Sequence, residues 1–71
     1  MLIIGYVHFE DIASGLWGII GLDDSHWEIV NFPDQLKYQG IKVQVRLKVD
    51  PNSESIYMWG QPAWITGFER L

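Results

Sequence analysis

The segment Ile41–Val49 alternates strictly between apolar and polar side chains, and this alternation constrains the fold more than any other feature of the sequence. The apolar positions are Ile41, Val43, Val45, Leu47 and Val49. A period of two residues is typical of an antiparallel strand with one face in a core and the other in water. A shift of one residue would exchange the two faces, so the pattern predicts a strand with a fixed register.

Strand patterns also cover most of the chain before this segment. Leu2–Glu10 predicts a long strand, and Gly5 is the point where we expect it to bend, because an interior glycine often marks a barrel corner. Leu16–Gly21 and His26–Val30 predict two further strands, joined as a hairpin by a turn at Leu22–Ser25.

The chain after Val49 begins with a polar cluster that contains a proline, over residues 50–55, where we expect a mobile loop. Ile56–Trp59 predicts the fifth strand. Gly60–Pro62 interrupts it, and Ala63–Glu69 either continues this strand after a kink or forms a sixth short strand.

One short helix is predicted over about 32–39. Asn31 can cap it, Pro33 suits its first turn, and Gly40 suits the left-handed conformation that ends a helix. Phe32 and Leu36 would lie on one face of this helix and close one end of a barrel. Two turns are too short to persist alone, so packing must hold the helix.

The predicted order is three strands, a short helix and two or three further strands. This is the order of the OB-fold, a five-stranded Greek-key barrel. We therefore expect a mainly β protein, with residues 1–71 forming one small OB-like barrel of five to six antiparallel strands. The alternative is an SH3-like barrel, which does not normally carry a helix at this point of the chain.

Several segments resemble a family of small, uncharacterised prokaryotic OB-like domains. The matching residues are Leu16–Gly21, Asp23-Asp24, Trp27-Glu28, Asn31-Phe32-Pro33, Gly40–Val43 and Met58-Trp59-Gly60. The chain departs from the family pattern at Leu22, which lengthens the turn, and at Phe32, which replaces a leucine. The resemblance implies a barrel fold and carries no activity with it.

Composition limits the classes of protein to consider. The chain has 71 residues, no cysteine, four tryptophans and a net charge of −4. A core this small depends on aromatic packing, because no disulfide can supplement it. An acidic chain lacks the basic footprint of most nucleic-acid-binding proteins. No apolar run is long enough to span a bilayer, and Met1–Ile4 lacks the features of a signal peptide, so we expect a cytoplasmic protein without membrane contact.

The acidic and histidine residues give little sign of chemistry. Asp23, Asp24, His26 and Glu28 could be metal ligands, but adjacent aspartates on a turn seldom converge on one ion. A second group is formed by His8, Glu10 and Asp11, and the two groups together leave a small enzyme as the weakest hypothesis. We expect no catalytic residues, no metal and no cofactor.

The basic residues offer a binding hypothesis instead. Lys42, Arg46 and Lys48 share the outward face of the alternating strand, which is usually no more than a solvated face. Together with exposed aromatic rings, they could follow a phosphate backbone. Most tryptophans of so small a protein must be in the core. If Leu16, Gly18 and Ile20 face inward, however, the side chain of Trp17 faces out. The candidate binding residues are Trp17, Trp27, Lys42, Arg46, Lys48 and Trp64.

Two functional hypotheses remain from the sequence. The first is a non-catalytic module that binds a protein partner or a second copy of itself through exposed aromatic residues, including Trp17 or Trp64. The second is an OB-type protein that binds single-stranded nucleic acid with the basic stripe and Trp17 and Trp27. The acidic net charge favours the first.

Overall fold

The computed structural model describes residues 1–49, 55 and 57–71, and the alternating segment forms the fourth of its five strands. The strands are β1 (Leu2–Glu10), β2 (Leu16–Gly21), β3 (His26–Ile29), β4 (Lys42–Val49) and β5 (Gln61–Arg70). Within the described residues, no helix is long and apolar enough to cross a membrane.

The strands close into a barrel in the order β1-β2-β3-β5-β4. The pairs are antiparallel except for β3 and β5, which are parallel. The prediction of a small OB-like barrel is thus confirmed, while the expectation of purely antiparallel pairing is wrong at this one seam. The reason is connectivity: the chain leaves β3, returns along β4 and runs back along β5, so β5 meets β3 in the same direction.

Like every strand of the closed barrel, β1 pairs with two neighbours. Residues 5–10 pair with β2, and residues 2–6 pair with β4. The two pairings overlap at Gly5 and Tyr6, and Gly5 lies opposite Gly21 on β2. A Cβ atom on Gly5 would collide with the backbone carbonyl oxygen of Ile20. Only a glycine therefore lets β1 and β2 approach at this position.

The barrel interior follows the alternation in β4. Val43, Val45 and Leu47 are buried, whereas Lys42, Arg46 and Lys48 are exposed, as the sequence predicts. The buried apolar cluster consists of Val7, Ile19, Ile29, Leu36, Val43, Val45, Leu47, Ala63 and Ile65.

The predicted helix is reduced to one 3-10 turn, Asp34–Leu36. Its N-cap is Pro33, with no side-chain hydrogen bond, so the expectation that Asn31 caps a helix is wrong. The side-chain amide of Asn31 instead binds β5, accepting a hydrogen bond from the Ile65 N–H at 2.7 Å and donating one to its carbonyl oxygen at 2.9 Å. Leu36 still fills the core, and Gly40 has the expected positive φ of 84°.

The predicted fifth strand is wrong where the structure describes it. Tyr57 and Trp59 lie in bends, Met58 between them has no regular structure, and the last strand begins at Gln61. Ile56 and most of the predicted mobile loop, residues 50–54, lie outside the described residues. The backbone N–H groups of Trp59 and Gly60 bind the Glu28 carboxylate, so they are not available for strand pairing.

Candidate functional site

The cations of β4 lie on the outer surface of the barrel. Lys48 pairs in register with Trp64 on β5, and the side chain of Trp64 is 42% exposed. Arg46 lies two residues along the same face of β4. The structure therefore brings together three of the residues selected from sequence. At the other end of β4, Lys42 pairs with the exposed Tyr6 of β1.

The other two selected residues, Trp17 and Trp27, lie apart from this basic face. Both side chains are half-buried and pack against the core. The ring of Trp17 lies 5.0 Å from that of Phe9 and 5.8 Å from that of Phe32, measured between centroids. The indole Nε1–H of Trp27 donates a hydrogen bond to Ser25 Oγ at 2.9 Å.

The orientation of β2 explains the position of Trp17. Ile19, two residues away on the same face, is fully buried in the barrel, so Trp17 points to the inner side with it. Gly18 is on the outer face, yet it is buried because the Trp59 ring lies on it. The condition under which Trp17 would face outward is therefore not met.

An exposed row of apolar side chains lies on β1, where the sequence analysis placed no site. Leu2, Ile4 and Tyr6 alternate along the outer face and are 55%, 37% and 45% exposed. Leu22 extends this surface, because its N–H donates a hydrogen bond to the Ile4 carbonyl oxygen at 3.0 Å and its side chain is exposed. We call these four residues the β1 row. Their period of two was visible in the sequence, but the opposite parity of β1 is also apolar.

The β4 flank of the β1 row carries two cations. Arg46 of β4 lies beside Leu2, and Lys42 lies beside Tyr6. Asp23, in the turn after β2, has its carboxylate on the inner side of that strand, where a Cβ on Gly21 would meet both Asp23 Oδ1 and the side chain of Ile3. Hydrogen bonds from the hydroxyl and backbone N–H of Ser25 lower the pKa of Asp23, so this carboxylate is ionised at neutral pH.

A short segment covers the outer face next to the β1 row. Glu28 is only 6% exposed, and its Oε1 atom accepts hydrogen bonds from Ser55 Oγ at 2.6 Å, Trp59 N–H at 3.1 Å and Gly60 N–H at 3.2 Å. These bonds hold the Trp59 ring on Gly18. We call Ser55 and Tyr57–Gly60 the strap.

The two histidines are part of this covering arrangement. The rings of His8 and His26 stack on Trp59 at centroid distances of 5.8 Å and 4.6 Å. His8 Nε2 also contacts Glu10 Oε2 at 2.8 Å. Among the described residues, no group of three or more acidic or histidine side chains has the geometry to hold a metal ion. The hydrogen bonds to Glu28 give that carboxylate a structural role in holding the strap.

Comparisons of the chain with protein-family models, curated proteins and solved structures find no match. The barrel itself agrees with the OB-like fold, while the resemblance to the small prokaryotic family stays a prediction. The surface geometry alone must therefore support a functional proposal.

Proposed function

We propose that this protein is a non-catalytic interaction module that binds a protein partner through the β1 row. The observation that carries the proposal is the alternation of Leu2, Ile4 and Tyr6 on the outside of a barrel whose inside is already filled. The exposed parts of these apolar side chains contribute no burial to the isolated barrel. They gain free energy only when a second surface removes them from water.

The size of the exposed row suits a binding surface. The exposed fractions of its four residues together correspond to about two complete side chains, on the order of 400 Å². A patch of a few hundred Å² on a small monomer is often functional. The barrel is closed, so a partner would dock on this face rather than add a strand to a free edge. Charged residues at the margin would contribute to specificity more than to affinity.

Single-stranded nucleic acid is a second candidate ligand, supported by one specific observation. Lys48 lies beside the exposed ring of Trp64, and Lys42 lies beside the exposed ring of Tyr6. A cation next to an aromatic ring at both ends of β4 could bind phosphates and stack bases. The inward position of Trp17 and Trp27 and the net charge of −4 weigh against this function.

Site-specific photo-crosslinking in cells tests the proposal. Tyr6 is replaced by p-benzoylphenylalanine, and a matched variant carries this residue in place of Val30, which is exposed at the end of β3. We expect ultraviolet light to produce protein adducts from position 6 and not from position 30. These adducts should survive nuclease and be lost on proteolysis.

Two results would contradict the proposal. Adducts that nuclease destroys would assign the face to nucleic acid. Equal adducts from both positions, or none from position 6, would show that the β1 row has no binding partner of its own.

A further inference from the structure

We propose that the β1 row binds an amphipathic helix of a protein partner, and that acidic residues border the apolar stripe of this helix on the side that faces β4. This inference rests on the proposed function and names the chemistry of the partner. Three observations carry it: the charges along the row, the space beside one of them, and the closed edges of the barrel.

Basic side chains lie along the β4 border of the row. Each outward side chain on β1 has a neighbour in register on β4: Arg46 beside Leu2, Gln44 beside Ile4 and Lys42 beside Tyr6. Both cations are exposed, and neither forms a salt bridge with another described residue. This border is therefore positive although the chain has a net charge of −4, and it favours carboxylates on whatever covers the row.

The opposite border of the row is apolar. Ile20 of β2 pairs with Tyr6, and Leu22 continues the row beside Ile4. The surface is thus amphipathic, with its basic side chains on the β4 side. A complementary partner has an apolar surface with acidic residues along the matching side.

Space for a carboxylate lies beside Arg46. This residue pairs with Gly67 of β5, which has no side chain, and both residues line a shallow depression together with Leu2. Glu69 lines it too, but no ion pair joins it to Arg46. A guanidinium and an apolar side chain therefore border the same concave surface, where one turn of a helix can place an acidic and an apolar residue together.

The closed barrel favours a helix over an extended segment. An extended segment on this face would find no free strand edge for its backbone N–H and C=O groups, whereas a helix pairs its own. The spacing also agrees. Outward side chains of β1 lie about 6.7 Å apart, close to the roughly 6 Å between helix residues four apart. Arg46 and Lys42 are about 13 Å apart, which a helix spans in eight or nine residues.

Selection of peptides by the purified protein tests this inference. A phage-displayed library of random peptides of about 16 residues, enough for about four helical turns, is panned in parallel on the wild type and on the double variant Arg46→Glu, Lys42→Glu. We expect the wild type to enrich peptides with apolar residues at helical spacing and Asp or Glu along one border. The double variant should enrich Lys or Arg at that border instead, because its own charge is reversed.

Affinities for a peptide selected by the wild type then test each part of the surface. Arg46→Glu should raise the Kd by roughly fivefold or more, whereas Lys37→Glu, with the same change in net charge but beside the 3-10 turn, should change it by less than about twofold. Ile4→Glu should abolish binding, because it places a charge in the apolar centre, and Val30→Glu should not. Circular dichroism confirms that each variant is folded.

The outcomes separate the inference from the function on which it rests. Enrichment without an acidic bias, or the same bias from both forms of the protein, overturns the acidic helix. If Ile4→Glu abolishes the binding of those peptides, the interaction function stands with a partner of different chemistry. If no selected peptide depends on Ile4, the inference fails, and the crosslinks from position 6 then decide whether the proposed function stands.

An anionic membrane is another surface that presents apolar and negative groups together. Co-sedimentation with vesicles of phosphatidylcholine and phosphatidylserine distinguishes it from a protein helix. We expect the protein to stay in the supernatant, because its net charge of −4 opposes binding to anionic lipid. Binding to these vesicles that Arg46→Glu or Ile4→Glu abolishes would overturn the inference and assign the row to lipid.

Discussion

Replacing Glu28 by glutamine should weaken the whole barrel, although it changes only one atom of the side chain. The carboxylate is 6% exposed, and one of its oxygens accepts three hydrogen bonds from the strap. A hydrogen bond to a charged group contributes about 1.5–3 kcal/mol, and one to a neutral group about 0.5–1.5 kcal/mol. Glu28→Gln can keep the three contacts but loses about 1 kcal/mol at each, part of which is offset because a neutral amide costs less to bury.

The net loss in the free energy of unfolding should be about 2 kcal/mol. A chain of this length has a total stability on the order of 4–10 kcal/mol, so the loss is a large fraction. It corresponds to a decrease in Tm of about 8–16 °C. Urea unfolding followed by circular dichroism gives the free energy, and indole fluorescence reports separately on the environment of Trp59.

Glu69→Gln is the matched control, because Glu69 is a glutamate on the exposed end of β5. It should change the free energy of unfolding by less than about 0.5 kcal/mol. If Glu28→Gln is as stable as this control, the three hydrogen bonds do not hold the strap, and our account of the covered outer face is wrong.

Two further substitutions test local features. In Gly18→Ala the new Cβ would lie 2.5 Å from Cζ3 of the Trp59 ring and 2.7 Å from the Trp27 carbonyl oxygen, so it should displace the indole of Trp59 and strain the β2–β3 pairing. We expect a red shift in the Trp59 fluorescence and a loss of about 1–3 kcal/mol in the free energy of unfolding, whereas Gly67→Ala, with its nearest contact at 3.7 Å, should be tolerated. Ser25→Ala removes the hydroxyl that lowers the pKa of Asp23, so an NMR titration should show that pKa rising. The lowered pKa of Asp23 stabilises the folded state at pH values above the range in which this carboxylate titrates, and this stabilisation is lost as the pH falls through that range. The wild type should therefore lose more stability on acidification than Ser25→Ala. An unchanged Asp23 titration would contradict the role of this hydroxyl.

The strands could be predicted well wherever a local pattern decides the structure. The observed bounds of β1 and β2 match the predicted ones, and β4 begins one residue later than predicted. In β4, a slip of one residue would bury Lys42, Arg46 and Lys48, so the sequence permits only one register. The barrel followed from the order of the elements, because few small folds accept that order.

The failed predictions share a physical cause, which is contact between residues far apart in the chain. Met58 and Trp59 have the composition of a strand, but their backbone N–H groups bind Ser55 Oγ and the Glu28 carboxylate, respectively, and are not available to a strand. Asn31 has the chemistry of a helix cap, but β5 offers its amide a donor and an acceptor at once. Local propensity has no information about such distant partners.

The candidate site was harder to predict than the fold. On β2, both parities contain apolar residues, and the inward position of Trp17 depends on Phe9, Phe32 and the Trp59 ring that covers Gly18. The β1 row presents the same difficulty, because its alternation was visible in the sequence but the inner parity of β1 is equally apolar. Exposure depends on which face the barrel encloses, and only the closed sheet determines that.

An NMR experiment on the ¹⁵N-labelled protein tests the central claim most directly, because it locates the binding face and identifies the class of ligand. Spectra are recorded in buffer, in nuclease-treated cell lysate, in lysate that has also been digested with a protease which is then inactivated, and in buffer with single-stranded oligonucleotides at low salt. We predict that the undigested lysate selectively shifts or broadens the amide signals of Leu2, Ile4 and Tyr6, that protease digestion of the lysate abolishes this effect, and that oligonucleotides leave the Trp64 indole signal unchanged. Signals of the β1 row that do not change in lysate, together with salt-sensitive shifts of Trp64 and Lys48 on adding oligonucleotide, would contradict the account and assign binding to nucleic acid on the face of β4 and β5.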